Sequence, residues 1–302
     1  MKNNKFNGPL FIVGLSRSGT KLLRDLLNRN NLINIPVIET HFIPNILKQE
    51  NISLDEVEDI IKTSKFRERQ QNIPFPKRDE LMSFNKIETV KDYIEAALKY
   101  YGVHGRQKWN EGAIWGDKTP LYLRHLDILK NEFPEGKVIH IIRDPRDRAL
   151  SVKKTWNKSM LRTTEKWRCE LENAQFFKNE TDFYFELRYE DLLASPKTKL
   201  QEICDFLGIS FQHKMLELEK SSEKHGDNKQ KLTVNSQNSK KFLDYNNSII
   251  KRIEEIAFPY LETYNYEPLY AKKHKPYPRY LMELKKYSDF INFKISNKRK
   301  GY

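Results

Sequence analysis

The stretch Pro9–Leu27, PLFIVGLSRSGTKLLRDLL, constrains the fold more than any other part of this 302-residue chain. It opens with an apolar run of the kind that forms a strand buried on both faces. Leu22, Leu23, Leu26 and Leu27 then recur at helical spacing. Between them, Gly14 to Gly19 leaves room only for a tight turn. A strand that runs straight into a helix predicts an α/β chain, because the helix carries the backbone across to a parallel neighbour. The same turn aims several backbone N–H groups and the positive end of a helix dipole at one spot, which makes an anion site. Arg17 and Lys21 add full charges there, and Ser18 and Thr20 add hydroxyl donors.

The rest of the chain fits that start. KVIHIIRDP (Lys137–Pro145) predicts a second buried strand, stopped by Pro145 and followed by the helix RDRALSVKKTW. FYFELRYEDLL (Phe183–Leu193) predicts a third strand. SPKTKLQEICDFLGI predicts a helix with Pro196 near its start and Gly208 at its end. NIPVIETHF is a short segment after the first helix. Residues from about 45 to 110 read as a polar helical insertion, with loops at Pro74 and Pro76, and Ser222–Lys241 as a basic loop. We therefore expect one α/β domain over residues 1–302, a parallel sheet flanked by helices, with a basic tail at 270–302. Ligands in such folds bind at the carboxyl ends of the strands.

The formal charge of +13 favours anionic partners such as nucleotides, acidic polymers, nucleic acid or an anionic membrane. The two cysteines, Cys169 and Cys204, form no C-x-x-C and read as reduced thiols. Two lysines precede the first apolar run, as in a signal peptide, but the run is short and Arg17 follows at once. No run approaches the roughly 20 apolar residues that span a bilayer. A cytoplasmic protein is the expectation, peripheral on a membrane at most. The seven histidines are scattered, so no metal site is expected.

A nucleotide-triphosphatase loop reads G-x-x-x-x-G-K-[ST]. Gly14 and Gly19 have that spacing, but Thr20 and Lys21 come in the reverse order. The Lys-[Ser/Thr] pair that grips Mg²⁺ and the terminal phosphates is missing, although Asp144 stands where a metal carboxylate would. Instead, FIVGLSRSGTKLL resembles the 5′-phosphosulfate loop of sulfotransferases that use 3′-phosphoadenosine 5′-phosphosulfate (PAPS). VIHIIRDPRDRALS resembles their 3′-phosphate motif, and GDKTPLYLRHL, LRYEDLLASP and FLGI follow the family's order. The resemblance runs from about Pro9 to Pro268 and is closest to the R-S-G-T-T branch, which includes carbohydrate-type and protein-tyrosine sulfotransferases. Lys21 stands where that branch has its second Thr.

The resemblance implies a P-loop NTPase-like sheet, PAPS as co-substrate and no metal. Arg17, Ser18, Gly19, Thr20 and Lys21 fall in the donor loop. Arg143 and Ser151 suit the 3′-phosphate, the first as a bidentate clamp and the second as a neutral hydrogen bond; a surface pair of Arg143 with Asp144 or Asp147 is the plainer alternative. Tyr189 either touches the adenosine or packs in the core. Sulfuryl transfer also needs cations where charge develops and a base at the acceptor hydroxyl. Arg17 is placed for the leaving oxygen, and the resemblance puts Lys118 by the sulfuryl group. Glu39 is the base expected from the R-S-G-T-T branch; His41, two residues on, is the base type of another branch.

The resemblance implies transfer to a hydroxyl, on a carbohydrate by the branch it is closest to, with a glycolipid or a protein tyrosine as other acceptors. A P-loop kinase and a basic nucleic-acid-binding protein are the rival functions; no nucleic-acid motif is present, so no nucleic-acid partner is expected. In the tail, Tyr280, Leu281, Leu284, Tyr287, Phe290 and Ile291 recur at helical spacing and read as one face among lysines. Such a helix packs its apolar stripe on the domain or lays it on an anionic membrane.

Overall fold

The computed structural model describes residues 6–104, 112–218 and 239–299. Most of the basic loop Ser222–Lys241 lies outside the described residues. The chain begins with β1 (Leu10–Gly14), α1 (Thr20–Leu27) and the two-residue β2 (Ile33–Asn34). Five helices follow: α2 (Ile43–Leu47), α3 (Leu54–Thr63), α4 (Lys65–Glu68), α5 (Arg78–Met82) and α6 (Val90–His104). The order then runs β3 (Ile114–Asp117), α7 (Leu126–Glu132), β4 (Lys137–Ile142), α8 (Pro145–Trp156) and α9 (Met160–Ala174). β5 (Tyr184–Arg188) leads into α10 (Tyr189–Ala194) and α11 (Pro196–Leu207), and the described chain ends with α12 (Asn247–Leu261) and α13 (Arg279–Arg299).

The five strands form one parallel sheet in the order β2-β3-β1-β4-β5. Residues Leu10 to Gly14 pair in register with Lys137 to Ile141. Helices cover both faces, which is why β1 and β4 read as continuous apolar runs rather than alternating ones. Leu10, Ile12, Ile139 and Ile141 pack with Leu23, Leu26 and Leu27 of α1 and with Leu200, Ile203 and Leu207 of α11. Phe11, Val13 and Val138 point the other way, onto Tyr93, Ile94 and Tyr101 of α6 and Leu126 and Leu129 of α7. The interval between β2 and β3, polar in overall composition, therefore carries the core of one face, anchored by Val57, Ile61 and Phe66. Its polar residues sit on the outer sides of short amphipathic helices.

Local signals set the boundaries. Asp144 caps α8 by accepting from the Arg146 N–H at 2.9 Å, with Pro145 in the first turn, and the helix stops at Asn157 in the left-handed region (φ 53°). Gly208 (φ 67°) ends α11. The third strand is shorter than the pattern Phe183–Leu193 predicts, because α10 starts at Tyr189. Cys169 and Cys204 are free thiols on α9 and α11. No helix of the described residues is long and apolar enough to cross a membrane.

His140 lies inside β4, 2% exposed, with Nδ1 2.5 Å from the Tyr184 hydroxyl. Burial holds it neutral and pulls its pKa down to about 3. The unfolded chain takes up a proton near pH 6.5 and the native one does not, so acidification favours unfolding. The loss amounts to about 2 kcal/mol at pH 5. Thermal melts from pH 7 to pH 5 are expected to show a falling Tm, with a flatter slope in His140→Gln. A slope unchanged by that substitution would remove His140 as the cause.

Candidate active site

The loop after β1 is held from both sides. Arg17 and Gly19 have positive φ (73° and 98°), and the Ser18 N–H donates to the Leu15 carbonyl at 3.1 Å. Ser18 and Thr20 are almost fully buried. A Cβ on Gly19 would lie 2.4 Å from Cδ2 of Tyr189, so glycine there answers both a backbone conformation and a close approach. The Arg143 guanidinium lies 4.6 Å from the centroid of the same Tyr189 ring and donates through Nη1 to the Arg17 carbonyl at 3.1 Å. Arg17 Nε in turn donates to Ser151 Oγ at 3.0 Å. Arg17, Gly19, Arg143, Ser151 and Tyr189 thus form one connected group. Both oxygens of Asp144 accept from Arg146, which also pairs with Glu254 at 2.7 Å, and the Arg143 charge acts on Asp147 against the burial that raises its carboxyl. Lys21, the second residue of α1, is half-buried.

A second group lies at the ends of β2 and β3. Lys118 follows β3, is 4% exposed, and donates to Oε1 of Glu39. The other carboxylate oxygen of Glu39 lies 3.1 Å from His41 Nε2. Burial alone would raise the Glu39 pKa, but the His41 hydrogen bond and the Lys118 charge outweigh it and hold it at about 2. The carboxylate is therefore ionised throughout the neutral range. Burial pulls the Lys118 pKa down against the attraction of Glu39. Asp117 beside it is fully buried, which pushes its carboxyl up to about 6.

The segment that carries Glu39 and His41 lies beyond the strand: β2 ends at Asn34, and His41 has φ 61°. Side chains from elsewhere fix it. Asn28 donates to the Ile35 carbonyl and accepts from the Ile35 N–H, both at 2.9 Å, and Arg24 donates to the Val37 carbonyl. The Thr40 N–H donates to Thr119 Oγ1 at 3.1 Å, while the Tyr122 hydroxyl meets Thr40 Oγ1 at 2.6 Å and the Ile43 N–H at 3.0 Å. The sequence reading missed Arg24, Asn28, Thr40, Thr119 and Tyr122. Thr119 and Tyr122 lie within GDKTPLY, so proximity to Lys118 was their only local signal. Arg148 was missed too; its Nε donates to the Ser16 carbonyl at 3.1 Å and braces the loop from α8.

The strand order arranges both groups along one edge. Glu39 and His41 follow β2, Lys118 follows β3, the loop Leu15–Gly19 follows β1, Arg143 follows β4 and Tyr189 follows β5. All stand at the carboxyl ends of parallel strands, which lie about 4.8 Å apart. Chemically, the edge brings together a glycine-containing loop at a helix N-terminus, Arg17 and Arg143 beside it, and a lysine–carboxylate pair at one end, a set suited to an anionic ligand. Glu39 and His41 are also partly open to solvent, at 30% and 40% exposure, so a solute can reach them.

Comparison with known proteins identifies the family and the fold. Residues 9–213 match the model of the sulfotransferase family. The sulfotransferase domain of an olefin synthase from Synechococcus PCC 7002 is 23% identical, covering 88% of this chain and 97% of that domain at a TM-score of 0.58. A sulfotransferase domain from the curacin biosynthetic pathway is 18% identical, covering 88% and 100% at a TM-score of 0.50. The two structures share the fold, and the family match spans every strand and the whole carboxyl edge. The chain therefore belongs to the sulfotransferase family, and the protein is a sulfotransferase.

Proposed function

We propose that the protein moves a sulfuryl group from PAPS to a hydroxyl of a carbohydrate acceptor. The observation that carries this reading is the order of side chains along the sheet edge: carboxylate, lysine, anion loop, arginine with serine, tyrosine. A donor with a phosphosulfate at one end and a 3′-phosphate at the other fits that order when its sulfuryl end faces Lys118 and Glu39.

In this reading Gly19, Thr20 and neighbouring N–H groups hold the 5′-phosphate, with Ser18 and Lys21 in the same loop. Arg143 and Ser151 take the 3′-phosphate, and Tyr189 sits beside the adenosine end. Arg17 now donates to Ser151, and it turns to the bridging oxygen when the donor is present. Glu39 accepts the proton of the acceptor hydroxyl as the acceptor oxygen bonds to sulfur. The bond from sulfur to the bridging oxygen breaks, and 3′-phosphoadenosine 5′-phosphate (PAP) leaves with the electron pair.

The resting Lys118–Glu39 pair gives this chemistry an order. A carboxylate with a pKa of about 2 is a weak base. Lys118 swings to the sulfuryl oxygens as charge develops on them, and Glu39 then loses its strongest cation while remaining half-buried. Its pKa rises, so the base strengthens only when there is a donor to use it. Without Lys118 the same rise is present from the start: Lys118→Met is expected to lower kcat and to move the acid limb of the kcat/KM profile to higher pH. An acid limb that stays in place would take Lys118 away from Glu39 in the working enzyme.

The carbohydrate acceptor follows from the resemblance of the donor loop to the R-S-G-T-T branch and from the polar entrance around Glu39 and His41. A kinase reading is disfavoured because Asp144 is committed to Arg146. Mass spectrometry of products formed from PAPS with sugars, oligosaccharides, glycolipids, phenols, tyrosine peptides and hydroxyacyl chains tests the proposal. Sulfation of sugar hydroxyls supports it; turnover confined to another class would replace the carbohydrate.

A further inference from the structure

The tail helix α13 turns its apolar stripe away from the domain. Asp289, 4% exposed, anchors the opposite side: it accepts from the Ser159 N–H at 2.7 Å and pairs with Arg162 at 3.1 Å. Arg162 Nε also donates to the Met282 carbonyl at 3.0 Å, and Phe293 meets Trp156 edge-on at 6.2 Å. With about 100° per residue, Met282, Asp289 and Phe293 fall together on one side. Tyr280, Leu284, Tyr287 and Ile291 fall on the far side, with Phe290 and Ile295 at its margins. These six are 46–74% exposed. They are six of the thirteen large apolar side chains exposed among the described residues, so the apolar surface is concentrated on this one helix.

Charge identifies the occupant. Between Lys272 and Tyr302 the sequence has ten lysines and arginines against two acids, and one of those acids, Asp289, is spent on Arg162. Lys272, Lys273 and Lys275 are exposed just before the helix, and Lys285 and Lys286 are exposed on it. We propose that α13 lies on an anionic membrane surface, with the Tyr280–Ile295 face in the headgroup–acyl boundary and the flanking lysines on the lipid phosphates. Stacking two copies through the same face would bring two strongly basic tails together, which repels a dimer. The proposal is independent of the acceptor: it concerns where the enzyme resides. Ser151 and Trp156 share α8, so the donor end of the site would sit within about one helix length of the lipid.

Co-sedimentation of the full chain with vesicles tests it, using phosphatidylcholine alone and phosphatidylcholine mixed with phosphatidylglycerol. The wild type is expected to pellet with the mixed vesicles and to be released by salt. Leu284→Ser with Ile291→Ser is expected to weaken partitioning by at least about tenfold, with unchanged PAP binding and Tm, because both side chains face outward. Three results would overturn the proposal. The wild type stays in the supernatant with mixed vesicles; the double variant pellets as well as the wild type; or light scattering shows a dimer that the double variant splits.

Discussion

Replacing Glu39 by glutamine is expected to lower turnover by about 10²–10⁴ while leaving PAP affinity nearly unchanged, the usual scale for a lost general base. Glutamine keeps the shape that meets Lys118 and His41 and removes the proton acceptor. The side chains we assign to the 3′-phosphate and adenosine, Arg143, Ser151 and Tyr189, belong to the β4 and β5 end of the edge, three and four strands from β2, so binding and chemistry are expected to separate. Single-turnover kinetics with preloaded donor measures the step directly. His41 shares the Glu39 carboxylate and is the more exposed of the two. Full activity in Glu39→Gln together with loss in His41→Ala would assign the base to His41 and leave Glu39 as its positioning partner.

The second large effect is at the other end of the edge. Arg143→Ala is expected to weaken PAP binding by about tenfold to 10²-fold, the loss of charged hydrogen bonds to one phosphate. Arg143 also lies on the Tyr189 ring and ties down the Arg17 carbonyl, so the variant loosens the loop as well. Arg143→Lys separates the two contributions. A lysine restores charge but neither the fork nor the stacking plane, and it is expected to recover only part of the affinity. The comparison compound is adenosine 5′-phosphate, which lacks the 3′-phosphate: its binding should change far less in Arg143→Ala. An equal loss for both compounds would make Arg143 a brace for the loop rather than a phosphate ligand.

How much of this could be read beforehand depends on whether the determinants were local. β1 and β4 were legible because strands covered on both faces leave uninterrupted apolar runs. The loop Leu15–Gly19 was legible because glycine, hydroxyl and cation coincide between a strand and a helix. Pro196 and Gly208 marked the two ends of α11, which runs from Pro196 to Leu207. The segment from Ile35 to Phe42 was not legible, since its shape is imposed by Asn28, Arg24, Thr119 and Tyr122, distant in sequence or without periodic signal. Tyr189 looked like a strand end, yet it opens α10 and packs on Gly19; only the third dimension brings the two together. The tail stripe was visible, but not its direction. An amphipathic pattern defines two faces, and here the anchor is Asp289 on the polar one, a single acid among many lysines.

The proposed reaction needs a donor that carries phosphate on both sides of an adenosine. Calorimetric titration of the wild-type protein with PAP, adenosine 5′-phosphate and ATP in the presence of Mg²⁺ tests that claim most directly. We predict that PAP binds about 10²-fold more tightly than adenosine 5′-phosphate, because the Arg143–Ser151 end is engaged only by a 3′-phosphate. ATP with Mg²⁺ should bind more weakly than PAP. If ATP with Mg²⁺ binds more tightly than PAP, the edge is a nucleoside triphosphate site and the proposed chemistry is wrong.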